Sequence, residues 1–276
     1  MSRLNKLLST FIPTSKTLTT PSPDEIITLS DLQKESDDSC MVCPTPCQDH
    51  ESYPRYLKID QTSSLESTVK PYFRHVVIST GKSDWPDHID EESKSFAACL
   101  DDAIKNAEKK KNKKNSDNND EPQEKPPRIV ITNSSRLNSD DVPFSEGNDI
   151  LLFPDNILVP IILICSHRRR DKRCGVTGPI LKSEFENVLR KRGLDVDARP
   201  NDGVGLFMTS HIGGHKFAGN LIVYRDGQGI WYGRVLPCHA KAIVEKTVIE
   251  GKVIKELYRG SMNGSFGEGK GGKLEW

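Results

Sequence analysis

The sequence predicts an α/β chain in two parts, and three observations carry that reading. Strand-sized apolar runs at Ile161–Ile164, Gly205–Ser210, Leu221–Tyr224 and Gly229–Tyr232 are separated by helix-spaced segments. A second, shorter set at His75–Thr80, Arg128–Thr132 and Ile150–Phe153 lies upstream. Between the first two upstream runs, residues 108–127 are charged and have no apolar side chain, so they cannot bury enough surface to order themselves. We therefore expect a smaller N-terminal α/β domain over 40–153 with a disordered insertion at about 108–127. A second domain spans 154–259, followed by a flexible tail over 260–276.

Residues 1–39 read as a presequence-like or disordered N-terminus. Met1 to Thr20 contains no acid, and Leu4, Leu7, Leu8, Phe11 and Ile12 recur at helical spacing beside Arg3 and Lys6, as in a mitochondrial presequence. Next comes Cys40-Met-Val-Cys43-Pro-Thr-Pro-Cys47. Cys40, Cys43 and Cys47 can be exchangeable redox thiols, ligands of a metal with Cys99 as a fourth, or structural. His75-Val-Val-Ile-Ser-Thr80 reads as a buried strand and Gly81-Lys-Ser-Asp-Trp-Pro86 as the turn after it. The Gly-Lys-Ser tripeptide is no phosphate loop, because position 76, where the upstream glycine belongs, is Val. A helix is expected over Ser93–Ala107, then the insertion, a strand at Arg128–Thr132, a loop over Asn133–Asn148 and a strand at Ile150–Phe153.

The C-terminal part opens with the strand Ile161–Ile164 and a loop carrying both Cys165 and Cys174. The helix after it is placed at Gly178–Arg192, with Pro179 just inside its start and Gly193 past its end. Gly205–Ser210 leads into His211-Ile-Gly-Gly-His215. Leu221–Tyr224 and Gly229–Tyr232 flank Arg225-Asp-Gly-Gln228, a hairpin turn. Lys241–Ile249 gives a last helix, and the tail Gly260–Gly272 reads as mobile. This βαβ…ββα sequence is the thioredoxin order.

Cys165, Cys174, His211 and His215 are four soft or borderline donors, enough to hold a metal centre. Eight residues separate the cysteines, more than the two to four of a zinc knuckle. Two cysteines and two histidines are also the ligand composition of a Rieske [2Fe-2S] centre, but each Rieske segment supplies one of each, whereas here both cysteines come first. The alternative is that each residue is structural, a small core thiol or a satisfied imidazole.

The block comprising Cys165, Cys174, His211-Ile-Gly-Gly-His215-Lys-Phe-Ala-Gly-Asn220 and Trp231-Tyr-Gly-Arg-Val235 resembles the sucrase/ferredoxin-like family. The resemblance extends upstream to His75–Pro86 and Cys40–Cys47, so it covers most of the chain from about residue 40. It implies a thioredoxin-like [2Fe-2S] ferredoxin fold, a [2Fe-2S] cluster as cofactor, and Cys165, Cys174, His211 and His215 as its ligands. It does not make the Cys40 block a ligand set.

The expected function is electron transfer in mitochondrial thiol redox homeostasis. The alternatives are a zinc-stabilised thioredoxin-like adaptor and a thiol-disulfide oxidoreductase using the N-terminal cysteines. Histidine in place of cysteine leaves an oxidised [2Fe-2S] centre neutral, which raises its potential. The run Arg168-Arg169-Arg170 with Lys172 and Arg173 can face that centre, stay solvated, or dock an acidic redox partner. With 39 basic and 39 acidic side chains, global charge favours neither nucleic acid nor membrane as partner. No apolar run is long enough to span a bilayer. Seven cysteines, an odd number, do not form a secreted disulfide framework. No carboxylate pair stands out for sucrose hydrolysis. The C-terminal Leu274-Glu275-Trp276 resembles a signal read by the cytosolic iron-sulfur assembly machinery, which sets a cytosolic or dual location against the mitochondrial one.

Overall fold

The structure, a computed structural model, describes residues 26–35, 50–92, 94–115, 128–139, 147–155, 159–194, 196 and 203–265. In chain order its elements are β1 (Ile26–Ile27), α1 (Leu29–Glu35), β2 (Arg74–Ser79), α2 (Phe96–Asn115), β3 (Ile129–Ser134), β4 (Ile150–Phe153) and β5 (Ile161–Cys165). There follow α3 (Lys172–Lys191), β6 (Gly205–Thr209), a 3-10 turn (His215–Phe217), β7 (Leu221–Arg225) and β8 (Gln228–Tyr232). The short helix α4 (His239–Ala242) runs into a π-helical stretch (Ile243–Ile249), and β9 (Val253–Ile254) and β10 (Tyr258–Ser261) complete the set.

Eight strands form one sheet in the order β10-β8-β7-β5-β6-β3-β2-β4. Within it β5 is parallel to β6 and antiparallel to β7, and β7 is antiparallel to β8. That β6-β5-β7-β8 arrangement, with α3 crossing from β5 to β6, is the thioredoxin-like unit. The upstream strands join its open edge through a single antiparallel bridge, Ser134 opposite Thr209.

The apolar run of β5 is explained by burial on both faces. Ile162 and Ile164 pack with Leu181, Phe185 and Leu189 of α3, while Ile161, Leu163 and Cys165 turn to the opposite face with Tyr224, Trp231 and Cys174. Each fully buried side chain of the Leu181 and Phe185 kind contributes about 1.5–3 kcal/mol. A third core lies under α2, where Val76 and Ile78 of β2 meet Ala97 and Leu100.

Four segments depart from the sequence reading. Helix α3 begins at Lys172, well before Gly178, because Asp171 caps it: its Oδ1 accepts the Arg173 N–H at 2.9 Å. Pro179 therefore lies inside the helix and Cys174 rides on its first turn, where a loop was expected. Helix α2 continues past Ala107 to Asn115, into the stretch expected to be disordered, since lysines propagate a helix well and no Gly or Pro stops them. Residues 26–35 fall within the presumed leader, yet Ile27 and Leu32 are buried and β1 pairs in parallel with β9. The tail is likewise structured at its start, with Ser261, Met262 and Ser265 buried.

Candidate metal centre

Cys165 ends β5, and Cys174 sits in the first turn of α3, which packs very closely on that strand end. A Cβ at Gly178 would stand 2.7 Å from the Cys165 carbonyl oxygen, so only glycine permits the approach. The two thiols are buried and act on each other's ionisation. That interaction, together with His211, draws the Cys165 thiol well below the ordinary range. Its partner moves the other way: the neighbouring sulfur and burial push Cys174 up. The α3 N-terminus adds a favourable dipole for a thiolate.

His211 and His215 come from the loop between β6 and β7. Gly213 and Gly214 adopt φ of 78° and 65°, the left-handed region, which folds the loop back so that the two imidazoles lie side by side. Their ring centroids are 5.4 Å apart with planes inclined by 33°. Burial lowers the His215 pKa, against the opposing charge of Asp171, and so favours the neutral ring that binds metals.

The Nδ1 atoms of both rings are buried and make no hydrogen bond. Such atoms are uncommon and ask for an explanation. Of the other buried atoms in the same condition, those of Arg74 and Glu245 and the Nδ1 of His50 are within ion-pair distance of Asp155, Arg192 and Glu184. The two orphaned nitrogens thus sit on adjacent imidazoles, and one of those rings, His211, acts on the buried Cys165 thiol. Among the described residues no three His, Cys, Asp or Glu side chains converge on one point as a single bound ion would need.

Residues not singled out in the sequence hold this arrangement. The Nδ1 of buried His167 accepts the backbone N–H of His211 at 3.1 Å, and its Nε2 donates to the Trp85 carbonyl at 2.9 Å. Asn220 donates to the Gly214 carbonyl at 2.9 Å, and Arg259 donates to the Gly213 carbonyl at 3.3 Å. His167 stands two positions after Cys165, so its neighbourhood was a signal; Arg259, on β10, has none in local sequence.

The basic run between the cysteines is largely matched within the chain. Arg169 pairs with Asp84 at 3.7 Å, Arg170 donates to His88 at 2.7 Å and lies 3.9 Å from Asp87, and Arg173 pairs with Asp171 at 2.8 Å. Next to it a cavity of about 260 Å³ opens against His211 and His167, bounded by Asp87, His88, Asp101 and Arg170. Cys40, Cys43, Cys47 and Leu274 to Trp276 lie outside the described residues. Cys99 is on an exposed part of α2.

With this geometry in view, the sequence profile of the sucrase/ferredoxin-like family matches residues 65–260. The chain belongs to the sucrase/ferredoxin-like family. Its similarity to characterised relatives is confined to part of each. Over 101 residues it is 52% identical to altered inheritance of mitochondria protein 32 of Clavispora lusitaniae, covering 36% of this chain and 34% of the relative. Over 105 residues it is 50% identical to the protein of the same name from Debaryomyces hansenii, covering 37% and 36%. Actin patches distal protein 1 of Saccharomyces cerevisiae is 42% identical over 92 residues, covering 32% and 29%. The chain thus spans about a third of the length of these curated relatives. Among solved structures, a thioredoxin-like [2Fe-2S] ferredoxin from Aquifex aeolicus aligns with 37% of this chain and 92% of its own, at 18% identity and a TM-score of 0.30.

Proposed function

We propose that this sucrase/ferredoxin-like protein is a one-electron carrier whose [2Fe-2S] cluster is held by Cys165, Cys174, His211 and His215. The observation that carries the reading is the pair of buried, unpartnered Nδ1 atoms beside the buried thiol pair. A bound [2Fe-2S] cluster supplies reversible one-electron chemistry at a potential raised by histidine ligation.

The chain's own part in this is positional. The turn of α3 presents Cys174 toward Cys165, and the two left-handed glycines present the histidines. His167 keeps His211 in place, and its tautomer follows from its partners, Nδ1 accepting and Nε2 donating. The cores on either side of β5 keep water from the thiols, while both histidines are only partly buried. The cavity against His211 offers a partner an approach from that side.

Relatives named for altered inheritance of mitochondria support a mitochondrial setting, and a carrier of single electrons there would serve thiol redox homeostasis. The test is anaerobic purification followed by absorption spectroscopy with iron, sulfide and zinc analysis. A red-brown protein with two irons and two sulfides per chain is expected. A colourless protein carrying zinc would replace this reading with the adaptor.

A further inference from the structure

Arg259 is 1% exposed and heads the fully buried side chains in size. Among the described residues no carboxylate forms an ion pair with it, and its N–H groups go to neutral acceptors. Nη1 donates to Asn220 Oδ1 at 2.9 Å and to the Gly213 carbonyl at 3.3 Å, and Nε donates to Thr68 Oγ1 at 3.1 Å. The guanidinium also lies 5.8 Å from the centre of the Phe217 ring and 6.0 Å from that of Trp231. A charge buried without a counterion is costly, and a chain of this kind normally pairs or replaces it.

The backbone around it is cleared to admit it. A Cβ at Gly214 would stand 2.2 Å from Nη2, and one at Gly233 would stand 2.6 Å from Cδ. Two loop positions are thus kept bare for one cation that hydrophobic side chains could have replaced. The groups that oppose the lowering that burial imposes on the guanidinium are the sulfurs of Cys165 and Cys174.

We infer that Arg259 is the built-in counterion of the metal centre, a positioning residue that also biases it toward the reduced form. This rests on the cluster reading above. Two thiolates and two neutral imidazoles around an oxidised [2Fe-2S] core sum to zero charge, and one added electron makes the sum −1. A fixed positive charge in the same low-dielectric volume favours the more negative form. Through Nη1 the same side chain holds the carbonyl of Gly213, between the two histidines.

A purely structural role and a counterion role separate in a redox titration of the full-length wild type, Arg259→Lys and Arg259→Gln at one pH and salt concentration. At a fixed potential, Arg259→Gln is expected to lower the ratio of reduced to oxidised protein by about tenfold or more, equal to about 59 mV for a one-electron couple. Arg259→Lys, which keeps the charge and loses the planar fork, is expected to recover most of that ratio. Equal midpoints for wild type and Arg259→Gln, or a lysine variant displaced as far as glutamine, overturn the inference. Should the glutamine variant not accumulate folded, citrulline at 259, introduced by ligating a synthetic 238–276 segment at Cys238, removes the charge from nearly the same shape and reads the same quantity. Wild-type protein without iron and sulfide would remove the cluster reading and this inference together. Loaded wild type and loaded neutral variants with one common midpoint would remove the inference alone.

Discussion

The imidazole of His167 joins two loops far apart in the chain by accepting the backbone N–H of His211 on Nδ1 and donating from Nε2 to the carbonyl of Trp85. Trp85 lies edge-on to the same ring at 5.8 Å and is itself tied by its indole N–H to Thr80 Oγ1 at 2.9 Å. The Asp-Trp-Pro turn and the histidine loop are therefore one mechanical unit.

His167→Phe keeps a ring against Trp85 but leaves the His211 N–H and the Trp85 carbonyl without their partner. An orphaned buried group of this kind costs about 1–3 kcal/mol. Urea unfolding of the variant should show that loss, and iron bound per chain should fall with it. Unchanged stability and unchanged iron content would mean that the link does not matter.

Gly214→Ala tests the histidine turn. The residue has φ of 65° and its added Cβ would meet the Arg259 guanidinium, so relief requires moving a buried, hydrogen-bonded side chain. We expect destabilisation of at least about 1 kcal/mol and a weakened centre. By contrast Gly213, also left-handed at 78°, has open space at its Cβ position, and Gly213→Ala should cost less. Equal costs at the two positions would show that the Arg259 contact contributes nothing.

Much of the fold was legible in the sequence because its strongest signals were local. The unbroken apolar run of β5, the Asp-Gly turn between β7 and β8 and the helical spacing of Leu181, Phe185, Val188 and Leu189 each describe a neighbourhood of a few residues. The start of α3 was misread because Pro179 resembles a first-turn proline, while the true cap, Asp171, is embedded in a basic run that reads as loop. That Cys165 goes with Cys174 and His211 with His215 was legible from the sequence; their role as ligands came from the family resemblance. What supports them was less so: Arg259 reaches Asn220 and the Gly213 carbonyl from β10, and His167 reaches His211 and Trp85, contacts that only the folded chain makes. The arginines between the cysteines were open to facing the centre, staying solvated or docking a partner; Asp84, Asp87 and Asp171 stand within ion-pair distance of three of them.

Stability should fall as the solution is acidified, starting above the carboxylate range. Burial holds His75 at about 3 and His239 at about 4, against an ordinary value near 6.5. Below about pH 6.5 the unfolded chain takes up protons that the folded chain does not, so unfolding becomes easier as pH drops toward those folded values. Each histidine contributes a slope approaching about 1.4 kcal/mol per pH unit. His75 is the better probe, since both ring nitrogens are engaged, Nδ1 with Tyr224 at 2.7 Å and Nε2 with Thr132 at 2.8 Å. Urea midpoints measured between pH 7 and 5 should decline in the wild type and decline less steeply in His75→Gln. Parallel curves would contradict the assignment.

Phe185→Ala should cost about 3–5 kcal/mol, as for a fully buried aromatic side chain in a packed core. Because Phe185 faces the α3 side of β5 and the thiols face the other, the loss should appear in thermal unfolding while iron content in the folded fraction is kept. Loss of iron from protein that remains folded would show that the two faces are coupled.

In the proposed binuclear iron centre, Cys165, Cys174, His211 and His215 are the ligands, and the histidines bind through their Nδ1 atoms, which make no hydrogen bond. Pulsed electron paramagnetic resonance of dithionite-reduced protein, with histidine labelled by nitrogen-15 at Nδ1 alone, reads this directly. We predict strong couplings from two Nδ1 nitrogens, one of which disappears in each of His211→Ala and His215→Ala. A reduced centre with no directly bound histidine nitrogen, or couplings that survive both substitutions, would contradict the account.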